Sequence, residues 1–144
     1  MPTAQTILSR KGTAVATVAH DDTVLDAARL MNAQRIGAAV VTDGDKVVGI
    51  FTERDILSRV VAAGKNPGAT PVEGVMTSPM ACCRRDTPLS ECKATMSGKR
   101  IRHLPVVEEG RLFGIISAGD IVATEVADKQ ATIEYLHEYL YGRT

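Results

Sequence analysis

The sequence contains no tryptophan, and Phe, Tyr and Trp together make up 3% of it. Platforms for stacking nucleic-acid bases are therefore poorly supplied, and a core has to be built from Ala, Val, Ile, Leu and Met. Neither charge sign is in excess: Lys plus Arg and Asp plus Glu each total 17. That argues against nucleic-acid or membrane-surface binding driven by bulk charge, while leaving room for a local basic pocket. No apolar run approaches the roughly 18 to 20 residues needed to span a bilayer. The start, Met1-Pro2-Thr3-Ala4-Gln5, has no basic segment leading into an apolar stretch, so the expectation is a cytoplasmic protein with no membrane partner. Cysteine is sparse and odd in number, with Cys82, Cys83 and Cys92 lacking C-x-x-C spacing. A disulfide framework or zinc site is not expected, and the three read as small buried thiols. What remains is 144 residues, 44% hydrophobic and 24% charged, suited to one ordinary domain or two small ones packed together.

The chain repeats itself. Sliding the sequence by 65 positions aligns residues 12–62 with 77–127 without a gap, and 12 of the 51 pairs are identical. Among them are Met31/Met96, Arg35/Arg100, Ile36/Ile101, Gly49/Gly114, Ile50/Ile115, Asp55/Asp120 and Val61/Val126. Chance at this composition would give roughly three or four. Two copies of one unit are present.

Each copy reads as β-α-β-β-α. A short extended segment, Ala14–Val18 or Met80–Cys83, precedes a helix that Asp22 caps in one copy and Thr87 with Pro88 starts in the other. Val24, Ala27, Ala28 and Met31 share one face of the first helix, as do Leu89, Cys92 and Met96 of the second, and Gly37 is placed to end the first in a left-handed conformation. A hairpin follows, Ala38–Val41 returning as Lys46–Phe51 and Leu104–Val107 as Arg111–Ile116. A second helix starts at Thr52 or Ser117. The expected divisions are 7–64, a linker at 65–71, 72–127, and a C-terminal helix over 128–144. Neither repeat has core enough to stand alone, so the two should pack on each other.

The matched segments Gly49-Ile50-Phe51-Thr52-Glu53-Arg54-Asp55 and Gly114-Ile115-Ile116-Ser117-Ala118-Gly119-Asp120 carry the chemistry. Each is an apolar strand feeding a helix whose first turn has a hydroxyl and, three residues on, a carboxylate. Thr-x-x-Asp is a variant capping box that satisfies orphan amides. The same atoms also suit a nucleotide, since a helix N-terminus favours phosphate and a nearby carboxylate can accept from two ribose hydroxyls. Spacing alone leaves both readings open.

With its doubled Gly-Ile-x-[Thr/Ser]-x-x-Asp-Ile, the chain resembles the tandem cystathionine-β-synthase (CBS) domains, over roughly residues 7–127. The resemblance implies an α/β fold of two β-α-β-β-α repeats packed with pseudo-twofold symmetry and flanked by helical extensions. It further implies a non-enzymatic regulatory module binding adenosine-containing ligands (AMP, ADP, ATP, NAD(H) or S-adenosylmethionine) in clefts between the repeats, with no metal. Asp55 and Asp120 would then hold ribose hydroxyls, with Thr52 and Ser117 near ribose or phosphate. Arg102 and His103 would contact phosphate at the Asp120 cleft, and Arg54 would do so at the other. Because Gly37 and Ala38 stand where the second copy has Arg102 and His103, the Asp120 cleft is expected to dominate. The adenine slot is expected from Val18, Ile36, Gly37, Ala38, Ala81, Cys82 and Ile101. Such pairs commonly form disc-like homodimers and regulate enzymes, here expected to be a separate chain.

Outside the repeats, Ile133, Leu136 and Leu140 share a helical face beside Tyr135, Tyr139 and Tyr141, three of the five aromatics in the chain. This suits a contact surface, expected to serve self-association. Two other readings are weaker. A scaffold with no bound nucleotide would meet nucleic acid through Arg84-Arg85 and Lys99–Arg102, or a protein partner through the tyrosine-rich tail. A small enzyme would draw on Cys82, Cys83, Cys92, His20, His103 and His137, which show no nucleophile motif.

Overall fold

The computed structural model describes residues 1–141. Residues 142–144 of the expected C-terminal helix lie outside the described residues. In chain order the elements are α1 (Ala4–Lys11), β1 (Thr17–Ala19), α2 (Val24–Gln34), β2 (Ala38–Asp43), β3 (Lys46–Thr52) and α3 (Glu53–Asp55), the last running on as a π-helical stretch, Ile56–Val61. Two short 3₁₀ turns at Pro67–Ala69 and Val72–Gly74 lead to α4 (Leu89–Lys99), β4 (His103–Glu108), β5 (Arg111–Ser117) and α5 (Ala118–Tyr141). The arrangement is mixed α/β, with five helices and two small sheets ordered β1-β2-β3 and β4-β5.

The 65-residue period of the sequence is a period of the structure. Helices α2 and α4, hairpins β2-β3 and β4-β5, and the register shifts at Val41/Thr42 and Val106/Val107 all occupy equivalent positions. Val24, Ala27 and Met31 are buried on α2, and Leu89, Cys92 and Met96 on α4. These are i, i+3, i+7 positions of one helical face. Both helices end on an arginine in the left-handed conformation, Arg35 at φ 54° and Arg100 at φ 55°. That residue, and not Gly37, is the helix stop. The cap of α2 is Thr23, which accepts from the Asp26 N–H, whereas Asp22 accepts from Ala19 in the preceding turn. Thr87 likewise serves its own turn by accepting from Arg84, leaving Pro88 at the head of α4. In the second copy the expected first strand shrinks to one parallel bridge, Cys83 with Val106.

Packing crosses the chain order. Helix α1 leads into the first repeat but buries Ala4, Ile7 and Leu8 among Cys83, Leu89, Leu104, Val106, Ile116 and Ile121 of the second. Conversely Val72 and Val75, at the start of the second repeat, complete the core around Val18, Val24, Met31, Val41 and Phe51 of the first. Gly49 and Gly114 exist for this crossing. A methyl group at Gly114 would meet Leu8 Cδ2 at 2.5 Å, and one at Gly49 would meet Met76 Sδ and the Thr77 carbonyl at 2.8 Å. The backbone close approach that these glycines permit is made by the chain's own segments. At about 1.5 to 3 kcal/mol for each large buried aliphatic, Ile7 and Leu8 tie the N-terminus to the far repeat.

Candidate functional site

The crossed packing brings the end of α2 and the start of β2 from one repeat against the start of β4 and of α5 from the other. Between them lies a cleft of about 580 Å³, lined by Met31, Asn32, Arg35, Ile36, Gly37 and Glu53 on one side and Arg102, His103, Ser117, Ala118 and Gly119 on the other. Its size falls within the range of small-molecule sites. Gly37 forms the floor: a methyl group there would sit 3.2 Å from Glu53 Oε1 and 3.3 Å from His103 Cε1. Arg35 comes to the cleft because the left-handed residue that stops α2 is followed immediately by Ile36 and the strand. Arg102 occupies the position equivalent to Gly37.

Charge in the cleft is unbalanced. Among the described residues neither Arg35 nor Arg102 makes a side-chain hydrogen bond or ion pair, and Glu53 is the single carboxylate of the lining. His103 is half-buried, and burial pushes its pKa below the ordinary imidazole value, with Glu53 opposing and Arg102 reinforcing. Burial therefore favours its neutral form. The amino end of the 24-residue α5 opens at Ser117–Gly119 on the same wall, adding the positive end of a helix dipole.

The two matched aspartates differ. Both complete the reciprocal cap that their spacing allows: Asp55 Oδ2 accepts from Thr52 N–H at 3.0 Å, and Asp120 Oδ2 from Ser117 N–H at 2.8 Å. Asp55 is then consumed by the protein. It is 5% exposed, its Oδ1 accepts from the Thr77 hydroxyl at 3.1 Å, and Arg59 Nε stands 3.7 Å away. Asp120 receives both of its bonds on one oxygen, the second from Lys11 Nζ at 2.8 Å, and among the described residues its Oδ1 accepts none. Burial works against ionisation of Asp120, but the hydrogen bonds from Lys11 and the Ser117 N–H hold its carboxyl below the usual range.

Of the residues expected at a ligand, Ile36, Gly37, Arg102, His103 and Ser117 line the cleft, and Asp120 follows directly in the first turn of α5. Thr52 and Asp55 lie in the other cap, and Arg54 reaches across to the Arg100 carbonyl at 3.3 Å. Val18 and Ala38 are buried in the first repeat, Ala81 and Ile101 pack on the core of the second, and none of the four lines the cleft. Of the thiols, Cys83 and Cys92 are both buried, and the hydrogen bond that the Cys83 thiol donates to Cys92, together with burial, raises the Cys83 pKa. Cys82, expected to be buried, is exposed. Arg84 and Arg85 both pair with Glu108, which neutralises much of that basic stretch.

Sequence reasoning missed Lys11, Arg35 and Glu53. Arg35 had a signal, being identical to Arg100 in the repeat alignment. Lys11 had none, because nothing in the order of the chain says that α1 crosses to the second repeat. Among the described residues no group of three or more His, Cys, Asp or Glu side chains is placed to hold a metal ion. None of the described helices is long and apolar enough to cross a membrane.

The family model for the CBS domain matches twice, at residues 9–62 and 72–126. The chain is similar to the CBS domain-containing protein YhcV of Bacillus subtilis, with 34% identity over 119 residues covering 83% of this chain and 84% of that one. It is also similar to the mitochondrial CBS domain-containing protein CBSX3 of Arabidopsis thaliana, 32% identical over 127 residues, where it spans 85% of itself but 62% of the relative. Among solved structures, a protein with CBS domains from Burkholderia ambifaria superposes with a TM-score of 0.85 at 42% identity, covering 88% of this chain and 96% of that one. A hexameric CBS-CP12 protein from bloom-forming cyanobacteria gives 0.73 at 31%, covering 85% and 70%.

Proposed function

The chain belongs to the CBS-domain family, and on that premise we propose that it is a non-catalytic regulatory module binding a phosphorylated adenosine ligand (AMP, ADP, ATP or NAD(H)) in the cleft between its repeats. The observation that carries this reading is the pair of unpartnered guanidinium groups, Arg35 and Arg102, facing one cleft beside His103 and the amino end of α5. Unpaired arginines are suited to fork-like recognition of phosphate oxygens. The free Oδ1 of Asp120 is an acceptor for ribose hydroxyls, whereas both oxygens of Asp55 are in use. One dominant site, on the Asp120 side, follows.

A ligand there touches both repeats and lies close to Lys11, so occupancy bears on α1 and on the angle between repeats. Its effect on a separate regulated enzyme in the cytoplasm would be exerted through that change, and coupling requires that the ligand prefer one of the two arrangements. Self-association is part of the same proposal. Leu57 and Val61 of the π-helical stretch are 64% and 63% exposed, and their equivalents Val122 and Val126 on α5 are 58% and 60% exposed. This apolar face obeys the internal twofold and can meet its own copy in an isologous contact.

The test is calorimetric titration of the protein with AMP, ADP, ATP, NAD⁺, NADH and adenosine, alongside Arg35→Ala and Arg102→Ala. Saturable binding of a phosphorylated ligand, weakened at least tenfold in either variant and absent for adenosine, is expected. Failure of every nucleotide to bind, or binding indifferent to both arginines, would overturn the proposal.

A further inference from the structure

The last 14 described residues of α5, 128–141, are exposed on every side. A helix of that length has marginal stability in water by itself, and this one displays Ile133 at 60%, Leu136 at 49% and Leu140 at 65% exposure. Taken with the exposed valines nearer the body, the positions 122, 126, 129, 133, 136 and 140 are spaced 4-3-4-3-4. That is the spacing of a and d positions in a heptad repeat, and it keeps all six on one narrow stripe. Ile121 and Thr124, which α5 buries against its own protomer, lie on a different face. The stripe therefore points away from the fold that carries it.

We propose that Val122, Val126, Ile133, Leu136 and Leu140 form the seam of a coiled coil with α5 of a second copy of this chain. The seam deepens the self-association reading given above and rests on it. Three features identify the partner as another copy. The stripe is continuous with Val122 and Val126, half of a face whose other half, Leu57 and Val61, repeats it under the internal twofold. A heptad seam is complemented by another heptad seam, and β-branched Val126 and Ile133 at successive a positions with Leu136 at d are the pattern of two-stranded pairs. The area agrees: the five seam side chains, at 49–65% exposure, offer about 500 Å² per protomer, and Leu57 and Val61 beside them bring the continuous face to about 700 Å², close to the roughly 800 Å² per partner of a standard stable interface. Lys129 interrupts the seam at a d position. A charged residue in an apolar seam costs stability, so the native pair is built below its attainable strength.

Sedimentation equilibrium of the full chain over a concentration series tests this. The expected results are a dimer or higher oligomer for the native chain, association weakened by about a hundredfold or more for the Ile133→Glu/Leu136→Glu double variant, and association tightened about tenfold for Lys129→Leu. All three seam positions are exposed, so these variants keep the fold, which an unchanged thermal midpoint of the dissociated protein verifies. Native-strength association of Ile133→Glu/Leu136→Glu overturns the seam, as does a Lys129→Leu variant no tighter than native. If Leu57→Glu/Val61→Glu dissociates the protein while Ile133→Glu/Leu136→Glu does not, the seam is refuted and the wider reading survives. A native chain monomeric at 100-fold above the about micromolar range typical of such contacts refutes both.

Discussion

Asp55→Ala and Asp120→Ala are one substitution made at equivalent positions 65 residues apart, and the two are expected to fail differently. At Asp55, 5% exposed, the change strips the acceptor from the Thr52 N–H at 3.0 Å and from the Thr77 hydroxyl at 3.1 Å. Each donor left buried and unsatisfied costs about 1 to 3 kcal/mol, and loss of a helix cap costs about 1 kcal/mol. These contributions overlap, so about 3 kcal/mol is expected. At Asp120 the cap is lost in the same way, but Lys11, 35% exposed, is released into water. A pair this exposed contributes at most about 1 kcal/mol, for a total near 1.5 kcal/mol. At roughly 3 to 4 °C per kcal/mol for a chain of this size, Asp55→Ala should melt about 10 °C below the native protein and Asp120→Ala about 5 °C below it.

Ligand separates the two further. At 100 times its dissociation constant it adds about 2.7 kcal/mol, which is about 8 to 10 °C. Asp55→Ala should keep most of that increment from its lowered baseline, and Asp120→Ala should lose most of it. Differential scanning calorimetry of the three proteins with and without AMP reads all six values. The reasoning is refuted if the two variants lose equal stability without ligand, or if Asp120→Ala retains the full AMP shift.

Gly37→Leu directs a side chain between Glu53 and His103 at a position with ordinary negative φ, so AMP binding measured by calorimetry should disappear while the thermal midpoint moves by only a few degrees. His103 has its pKa lowered by burial: the neutral form is the one the fold accommodates, and the unfolded chain binds the proton more readily. Its contribution to stability is full above about pH 6.5 and declines as pH falls below that value. Phosphate in the cleft favours the imidazolium, so affinity for AMP should strengthen as pH falls from 8 toward 5.5, and titrations of His103→Gln should lack that trend. Gly114→Ala places a methyl 2.5 Å from Leu8 Cδ2 and should cost about 1 to 3 kcal/mol. In urea unfolding the Gly114→Ala/Leu8→Ala double variant should be more stable than the two single losses sum to, by at least about 0.5 kcal/mol, and strict additivity would show that α1 does not pack as described.

The repeat and its units were readable because they are matters of local order. Helix periodicity, hairpin punctuation and the Thr-x-x-Asp and Ser-x-x-Asp caps are fixed within a few residues, and the 65-residue offset carried them from one copy to the other. That Arg102, His103 and Ser117 face one site was also legible, since they stand at strand and helix ends that meet in any packing of the two hairpins. Capping details were less so. Asp22, Thr23 and Gly37 are all competent at a helix end, and a difference of one residue in backbone angle decides which is used.

The inequality of Asp55 and Asp120 was beyond local order. The two sit in matched heptapeptides that share Gly, Ile and Asp and keep a hydroxyl three residues before the carboxylate, and what separates them is chiefly Thr77 on one side and Lys11 on the other, groups brought in by segments that cross between repeats. A sequence specifies which residues lie three or four apart on a helix, but the partner of a carboxylate 109 positions away is chosen by where the cores of the two repeats leave room for α1. Composition and period determined that two like halves would pack. The crossing of α1 and the Val72–Val75 segment, set by glycines that admit Leu8 and Met76, decided which half would keep an open carboxylate.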